Sequence, residues 1–420
     1  MNNWYTYKLG ELINVQNGYA FKSGDLKESG IPVIKIKNIQ PPNISLDEAD
    51  CFPHELTAKL NQFIVKKKDI LISMTGSHIS QISSAVGKVG RYGFDKPALL
   101  NQRVGKLYSK DTEKLNDDFL YYYISRPEVQ FELATNAGGS ANQANISPQH
   151  IKDLEIEVPS IEAQRRIAEI LFALDDKIEL NRRMNQTLEF MAQTLFQKLF
   201  NSEECDSWDI VRLGDLIDIK GGYSYEGKFI GSGDAYLLGM GCVSFKDRFI
   251  FSGARPYSGD CKDAYLVKPG DIIIATRQQS DNLPILGFPA IVPISFKHKK
   301  VIVGTNLYKV FNKSDLNNNL LFQLLKSDNY KNHILSNSKG STVRMITKDS
   351  IENYEFKMPT KERLQLYQNT FITIGDKLES NIEQSRKLSQ LRDTLLPKLM
   401  SGEIDVMQTK LDELHEPVLS

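Results

Sequence analysis

One stretch of this 420-residue chain recurs without a gap, and no other feature narrows the possible folds so far. Pro159 to Phe200 maps onto Pro359 to Met400 without a gap, so that Asp176-Lys177 falls on Asp376-Lys377, Asn181 on Asn381, Leu188 on Leu388, Leu195 on Leu395 and Lys198-Leu199 on Lys398-Leu399. The segments before these stretches repeat more loosely. Lys8-Leu9-Gly10-Glu11-Leu12-Ile13 returns as Arg212-Leu213-Gly214-Asp215-Leu216-Ile217, and Gly18-Tyr19 as Gly222-Tyr223. Val65 to Ile72 returns as Val267 to Ile274, and Gly139-Ser140, Ile151 and Pro159 return as Gly340-Ser341, Ile351 and Pro359. A repeat of this period fixes the order of parts as globular unit, helix, globular unit, helix. The correspondence is gapless in the helices and looser in the globular units, so a common scaffold carries two diverged faces.

Within the first recurring stretch, Leu171, Leu174, Ile178, Asn181, Asn185, Leu188, Ala192, Leu195 and Leu199 alternate in steps of three and four, the spacing of a coiled-coil seam. The second gives Phe371, Ile374, Leu378, Asn381, Ser385, Leu388, Arg392, Leu395 and Leu399. Both seams turn polar at their centres, where a buried Asn weakens a coil but fixes its register. The simpler alternative is a helix packed on its own globular domain. The first helix leaves one globular unit and arrives at the other, so the second can pair with it only by running back. The spacing therefore predicts an antiparallel pair about 60 Å long at 1.5 Å per residue, with an approximate two-fold axis across its middle. Pro397 and Gly402 mark the end of the second helix. Short β-like runs (Val33 to Ile36, Ile70 to Ser73, Ile272 to Ala275, Leu307 to Phe311) alternate with amphipathic stretches (Asp118 to Ile124, Asn318 to Leu325), which makes each globular unit α+β.

With 41% hydrophobic residues the chain can supply two or three cores. No apolar run reaches the roughly 20 residues that span a bilayer, and the N-terminus lacks a signal-peptide layout, so no membrane association and a cytoplasmic location are expected. Cys51, Cys205, Cys242 and Cys261 form no CxxC pair, and the six histidines form no HExxH, so neither a disulfide framework nor a metal site is indicated. The formal net charge is zero, although Glu403, Asp405, Asp412, Glu413 and Glu416 in the last 20 residues leave the remainder mildly basic, and Lys66-Lys67-Lys68 or Lys297, Lys299 and Lys300 can segregate to one face. That balance neither establishes nor excludes DNA.

Catalytic motifs fail on inspection. An adenine methyltransferase needs an Asn/Asp-Pro-Pro-aromatic motif, and Gln40-Pro41-Pro42-Asn43 is wrong at both ends. Leu238-Gly239-Met240-Gly241 resembles a cofactor-binding turn, yet its counterpart Lys35-Ile36-Lys37-Asn38 has no glycine. Asp175-Asp176-Lys177 has the look of a nuclease set but lies on the helix, where a solvated face or a partner contact is the simpler reading. No GxxxxGK[ST] phosphate loop occurs. No catalytic residues are expected in this chain.

The KLGEL-type opening, the Gly-Ser loop, the helix start at Pro159 to Leu171 (PSIEAQRRIAEIL) and the close at Leu395 to Ile404 (LLPKLMSGEI) together resemble the specificity subunit of Type I restriction-modification systems, over essentially the whole chain. The resemblance implies target-recognition domains at residues 1–158 and 201–358, helical spacers at 159–200 and 359–402, and an acidic tail at 403–420. It implies two half-sites of a split, asymmetric double-stranded DNA target, docking of two methyltransferase subunits, and restriction subunits in a larger phage-defence complex. It further implies that S-adenosylmethionine, ATP and Mg belong to those partners, with no cofactor on this chain. A related modification or defence system, or a coiled-coil adaptor that reads no DNA, would share much of this outline.

Bases and phosphates are read by Arg, Lys, Asn, Gln, Ser and Thr. In the first unit such residues gather at Lys35, Lys37 and Asn38, at Thr75 and Ser77 after a strand, at Arg91, at Asn101, Gln102 and Arg103, and at Ser140, Asn142 and Gln143. In the second they gather at Tyr223 and Tyr225, at Thr276, Arg277, Gln278 and Gln279, at Asn306, and at Lys339, Ser341, Thr342 and Arg344. Arg165, Arg166, Arg182, Arg183, Arg386 and Lys387, off the seam or at its margin, are expected to include contacts to partner subunits.

Overall fold

The computed structural model describes residues 4–77, 86–140, 143–200, 207–278, 285–340 and 343–408, the side chains of 55–59 and 140 excepted. The chain forms two compact units, residues 1–175 with 390–420, and residues 176–389. The division falls inside the long helices rather than at their starts, so each unit owns a piece of both.

In the first unit the central strand Ile70–Ser73 is buried along its whole length and lies between Val104–Ser109 and Val89–Arg91, with Ile13–Asn17 beyond Val104–Ser109. In the second unit Ile272–Ala275 is equally buried and lies between Leu307–Asn312 and Pro289–Ile291, with Ile217–Gly221 at the edge. Continuous apolar runs of this kind suit strands covered on both faces. The turn before each central strand is built alike: Asp69 and Asp271 carboxylates accept from the backbone N–H of Lys66 (2.8 Å) and Lys268 (2.9 Å). Lys68 (φ 77°) and Gly270 (φ 86°) take the same left-handed step. A smaller sheet also recurs, with Ile31–Ile34 between Cys51–Phe52 and Ala98–Leu100 in one unit, and Ile230–Leu238 between Ala254–Tyr257 and Val301–Val303 in the other. The expected strand at Val33 to Ile36 is shorter at its end, because Ile36–Asn38 turns into a 3-10 helix that the Asn38 side chain closes.

Asn116 and Asn317 cap the helices Asp117–Ile124 and Asn318–Lys326 by accepting from Phe119 and Leu320 N–H. The two long helices, Ile161–Phe200 and Lys361–Met400, are each 40 residues, with Ser160 and Thr360 hydroxyls accepting from Ala163 and Arg363 N–H at their starts. The second helix continues three residues past Pro397 and stops before Gly402, whose φ of 74° suits glycine.

Within the second unit the helices pair antiparallel about a polar centre. Asn181 Nδ2 donates to Gln384 Oε1 (2.9 Å) and Ser385 Oγ (3.2 Å), and Asn381 Nδ2 donates to Asn185 Oδ1 (2.9 Å). Both Asn181 and Asn381 are buried. Phe371, Ile374 and Leu378 join Ala192, Phe196 and Leu199 in the core under the sheet, with Leu188 and Leu195 half-buried against it, while Ile178 and Leu388 are half-buried. In the first unit Leu171, Leu174, Leu395 and Leu399 are buried. Val406 is buried there too, so the chain beyond the second helix starts against the first unit; residues 409–420 of the acidic tail lie outside the described residues.

Candidate nucleic-acid interface

In the second unit, parallel pairing of Ile230–Leu238 with Val301–Val303 sets Leu238 beside Val303, so the turns that follow both strands emerge at one end of the sheet. Further loops are tied to that end by backbone bonds. Tyr223 N–H donates to Val303 O (2.7 Å), Thr276 N–H to Asn306 O (3.0 Å) and Ile346 N–H to Thr276 O (3.1 Å). Arg277 and Gln278 pair with Met345 and Arg344, and Lys339 bridges to Met345. The result is a rim carrying Tyr223, Tyr225, Thr276–Gln278, Asn306, Lys339 and Arg344, of which Arg277, Lys339 and Arg344 are exposed.

The first unit builds the same rim with other residues. Tyr19 N–H donates to Leu100 O (2.8 Å), Asn101 N–H to Ile34 O (3.2 Å), Met74 N–H to Arg103 O (2.9 Å) and Ile146 N–H to Met74 O (3.0 Å). Lys37, Gln102, Arg103 and Gln143 are exposed on it, and Lys35 and Ser77 are half-buried. Ser140 lies on the short strand Gly138–Ser140, which pairs with Gln143–Asn145. The Lys35 ammonium holds the Asp50 carboxyl below its ordinary range through a 2.8 Å ion pair, with Lys37 at 3.5 Å.

Several expected readers are placed otherwise. Asn38 is buried and spends its side chain on the turn, accepting from Lys35 N–H (2.9 Å) and donating to Ser45 O (3.1 Å). Thr75 is buried and donates to Asn145 Oδ1 (2.8 Å), and Asn101 is buried with Oδ1 accepting from Arg103 N–H (3.2 Å). Thr276 and Gln278 are buried as well, which leaves Arg277 as the outward member among the described residues of its set. Arg91 stands at the opposite end of the sheet, paired with Ile70, where its guanidinium meets Asp118 and lies 4.4 Å from the Phe172 ring centroid. Asn142, Gln279, Ser341 and Thr342 lie outside the described residues.

Of the helix residues expected to meet partners, Arg182 and Arg183 both pair with Glu179, and Arg386 and Lys387 with Glu383. Arg165 pairs with Glu113 and, with Arg166, Glu162, Ile170 and Met407, lines an open cavity of about 680 Å³ in the first unit. The first member of the nuclease-like set Asp175-Asp176-Lys177 is spent structurally, since Asp175 accepts from the Tyr122 hydroxyl (2.8 Å) and from Arg392 (2.8 Å). Among the described residues no His/Cys/Asp/Glu group can hold a metal ion, and no helix is long and apolar enough to cross a membrane. What each rim offers is hydrogen-bond donors, aromatic faces and positive charge.

Sequence reasoning missed Arg255, which reaches the second rim from Ala254–Tyr257 and donates to the Tyr225 hydroxyl (3.2 Å). The signal lay in strand register, which the repeat in sequence does not preserve there.

A family model described as "Type I restriction modification DNA specificity domain" matches residues 1–190 and 206–392. The MjaVIII specificity subunit of Methanocaldococcus jannaschii is 29% identical over 188 residues, 44% of this chain and 43% of that protein. The MjaIX specificity subunit of the same organism is 25% identical over 74% of both chains. The HindI specificity subunit of Haemophilus influenzae is 23% identical over 96% of this chain and 100% of that one. The crystal structure of a Type I restriction-modification S subunit from M. genitalium shares the fold, with a TM-score of 0.61 at 16% identity over 95% of this chain and 96% of that one.

Proposed function

The chain belongs to the Type I restriction-modification DNA specificity family, with two matched copies of its domain, and from that membership we propose that each unit reads one half of a split, asymmetric DNA target. The observation that carries this is the pair of rims: the strands and backbone bonds that build them correspond, whereas the side chains they present do not. Two different reading faces on one repeated scaffold call for two different half-sites.

On this reading the chain has no catalytic role and works in the cytoplasm. It docks two adenine methyltransferase subunits, through which restriction subunits join, and those partners hold S-adenosylmethionine, ATP and Mg. The docking contacts lie among the helix residues Arg165, Arg166, Arg182, Arg183, Arg386 and Lys387, of which Arg165, Arg182, Arg183 and Lys387 are exposed. The donor-rich rims favour DNA reading over a pure adaptor role, since an adaptor needs neither the rim arginines nor the aromatic residues beside them.

The test is to co-express the chain with its methyltransferase subunit in a host that lacks adenine methylation, and to map modified bases across the genome. A split, asymmetric motif modified on both strands is the expected outcome. A stable complex that modifies nothing would sink the proposal.

A further inference from the structure

Resting on that reading of the second rim, we infer that Arg255 is a specificity-determining residue that reads a guanine edge in one half-site. Leu100 and Val303 occupy one place in the two units, because each accepts from the N–H of the repeated tyrosine, Tyr19 or Tyr223, at 2.8 and 2.7 Å. Leu100 pairs with Ile34 and Val303 with Leu238, so Val33 corresponds to Leu237. Leu237 faces Arg255, while Val33 N–H donates to Asp50 O (2.8 Å). Arg255 therefore stands where the first unit has Asp50, and Gly239 and Gly241 stand where it has Lys35 and Lys37, one place from the correspondence read off the sequence, because strand pairing aligns Leu238 with Ile34.

The corner has reversed polarity between the units. In the first, Asp50 accepts both lysines, at 2.8 and 3.5 Å, so the strand position carries an acceptor spent on the corner's own cations. In the second, both lysine positions are glycine, and a Cβ on Gly239 would lie 3.9 Å from Arg255 Nη2, so the guanidinium passes over bare backbone. Among the described residues no carboxylate pairs with Arg255, and its hydrogen bond goes to the uncharged Tyr225 hydroxyl, with the Tyr225 ring centroid 5.8 Å away.

A half-buried guanidinium without a carboxylate has given up water and received little in return. Tyr225 orients it without quenching its charge. A planar fork so held, on a rigid strand at the reading rim, matches the two acceptors O6 and N7 of guanine in the major groove. The same fork also fits a phosphate, and the two contacts differ in outcome: a base contact fixes one position of the motif, whereas a phosphate contact weakens all sequences alike.

The experiment uses the chain co-expressed with its methyltransferase subunit, with genome-wide mapping of modified bases for the wild type and for Arg255→Gln, Arg255→Lys and Tyr225→Phe. Arg255→Gln is expected to relax or change one guanine position of one half-site, with roughly tenfold or greater loss of discrimination there, and to leave the other half-site untouched. Tyr225→Phe, which removes only the orienting hydroxyl, should loosen the same position to a smaller degree. Arg255→Lys keeps the charge without the fork and should relax that position too, which covers the case of a Gln variant that fails to assemble. An unchanged motif in Arg255→Gln or in Arg255→Lys overturns the inference, as does a uniform fall across all sequences. A wild type that modifies no split motif would instead overturn the functional reading itself.

Discussion

The two units bind their long helices with one constellation whose charges have moved. Asn116 and Asn317 align the short docking helices, so Asp118, Tyr121 and Tyr122 correspond to Asn319, Phe322 and Gln323. In the first unit Arg91 meets Asp118 and lies over Tyr121 (5.4 Å), while Tyr122 donates to Asp175 (2.8 Å) on the first long helix. In the second unit Arg248 lies over Phe322 (4.6 Å) and donates to Asn319 (2.5 Å) and Glu189 (3.1 Å), and Gln323 donates to Glu189 (3.2 Å). By the repeat, the counterpart of Asp175 is Gly375 and that of Arg392 is Ala192. The buried carboxylate has left the helix that departs from its own domain and settled on the other helix. Its vacated site is filled by Asn319, whose Nδ2 would lie 2.1 Å from a Cβ on Gly375. A buried charge is tolerated wherever its donors travel with it, which is why the packing is shared and the chemistry is not.

Trp4 lies in the first unit and Trp208 in the second, so single-tryptophan variants unfolded in urea would report each half of the comparison separately. The largest effect is expected from Arg248→Met, which leaves Glu189 short of a cation at a site where the Arg248 side chain is 6% exposed. A loss of about 3–5 kcal/mol in the Trp208 signal should follow, with the Trp4 signal much less affected. Gly375→Asp, which copies the first unit's carboxylate into the second, should cost about 2–4 kcal/mol through overpacking against Asn319 and an unpaired charge; partial rescue by adding Ala192→Arg would show the two patterns to be interchangeable. Arg392→Met should cost the first unit only about 1–2 kcal/mol, because Asp175 keeps the Tyr122 hydroxyl. Equal losses for Arg248→Met and Arg392→Met would break the comparison.

The smallest effect is a gain. Burial raises the Glu379 carboxyl above its ordinary range, although Ile294 N–H donates to it at 2.6 Å. A raised carboxyl means that the unfolded chain releases its proton first as pH increases, so stability falls through that interval and stays lower at neutrality. Glu379→Gln should therefore stabilise the second unit by about 1 kcal/mol or less at pH 7, with the advantage shrinking toward pH 4. Glu189 runs the opposite way: burial works against its charge, but Lys326 and Arg248 hold its carboxyl below the ordinary range, so its stabilisation persists above that range and fades on acidification.

The repeat made the helices, their antiparallel pairing in the second unit and the central strands Ile70–Ser73 and Ile272–Ala275 legible in advance, because strong apolar periodicity survives with little help from tertiary context. Candidate readers were less legible. Asn38 and Asn101 have the right chemistry for base edges but serve local turns, a choice that composition does not reveal. Arg91 follows apolar strand residues as a reader would, yet it serves helix docking at the far end of the sheet. Arg255 escaped notice because the correspondence with Asp50 runs through cross-strand pairing, where insertions hide it from alignment.

The polar centre of the helix pair has a further consequence for motion. Sliding one helix along the other by a heptad, about 10.5 Å, would move Asn181 from Ser385 to Leu378 and Asn381 from Asn185 to Ile178, and strip their bonds. With each stranded amide costing about 1–3 kcal/mol, the slipped state lies roughly 2–6 kcal/mol uphill before any packing is lost. The pair thus behaves as a ratchet with a single favoured notch.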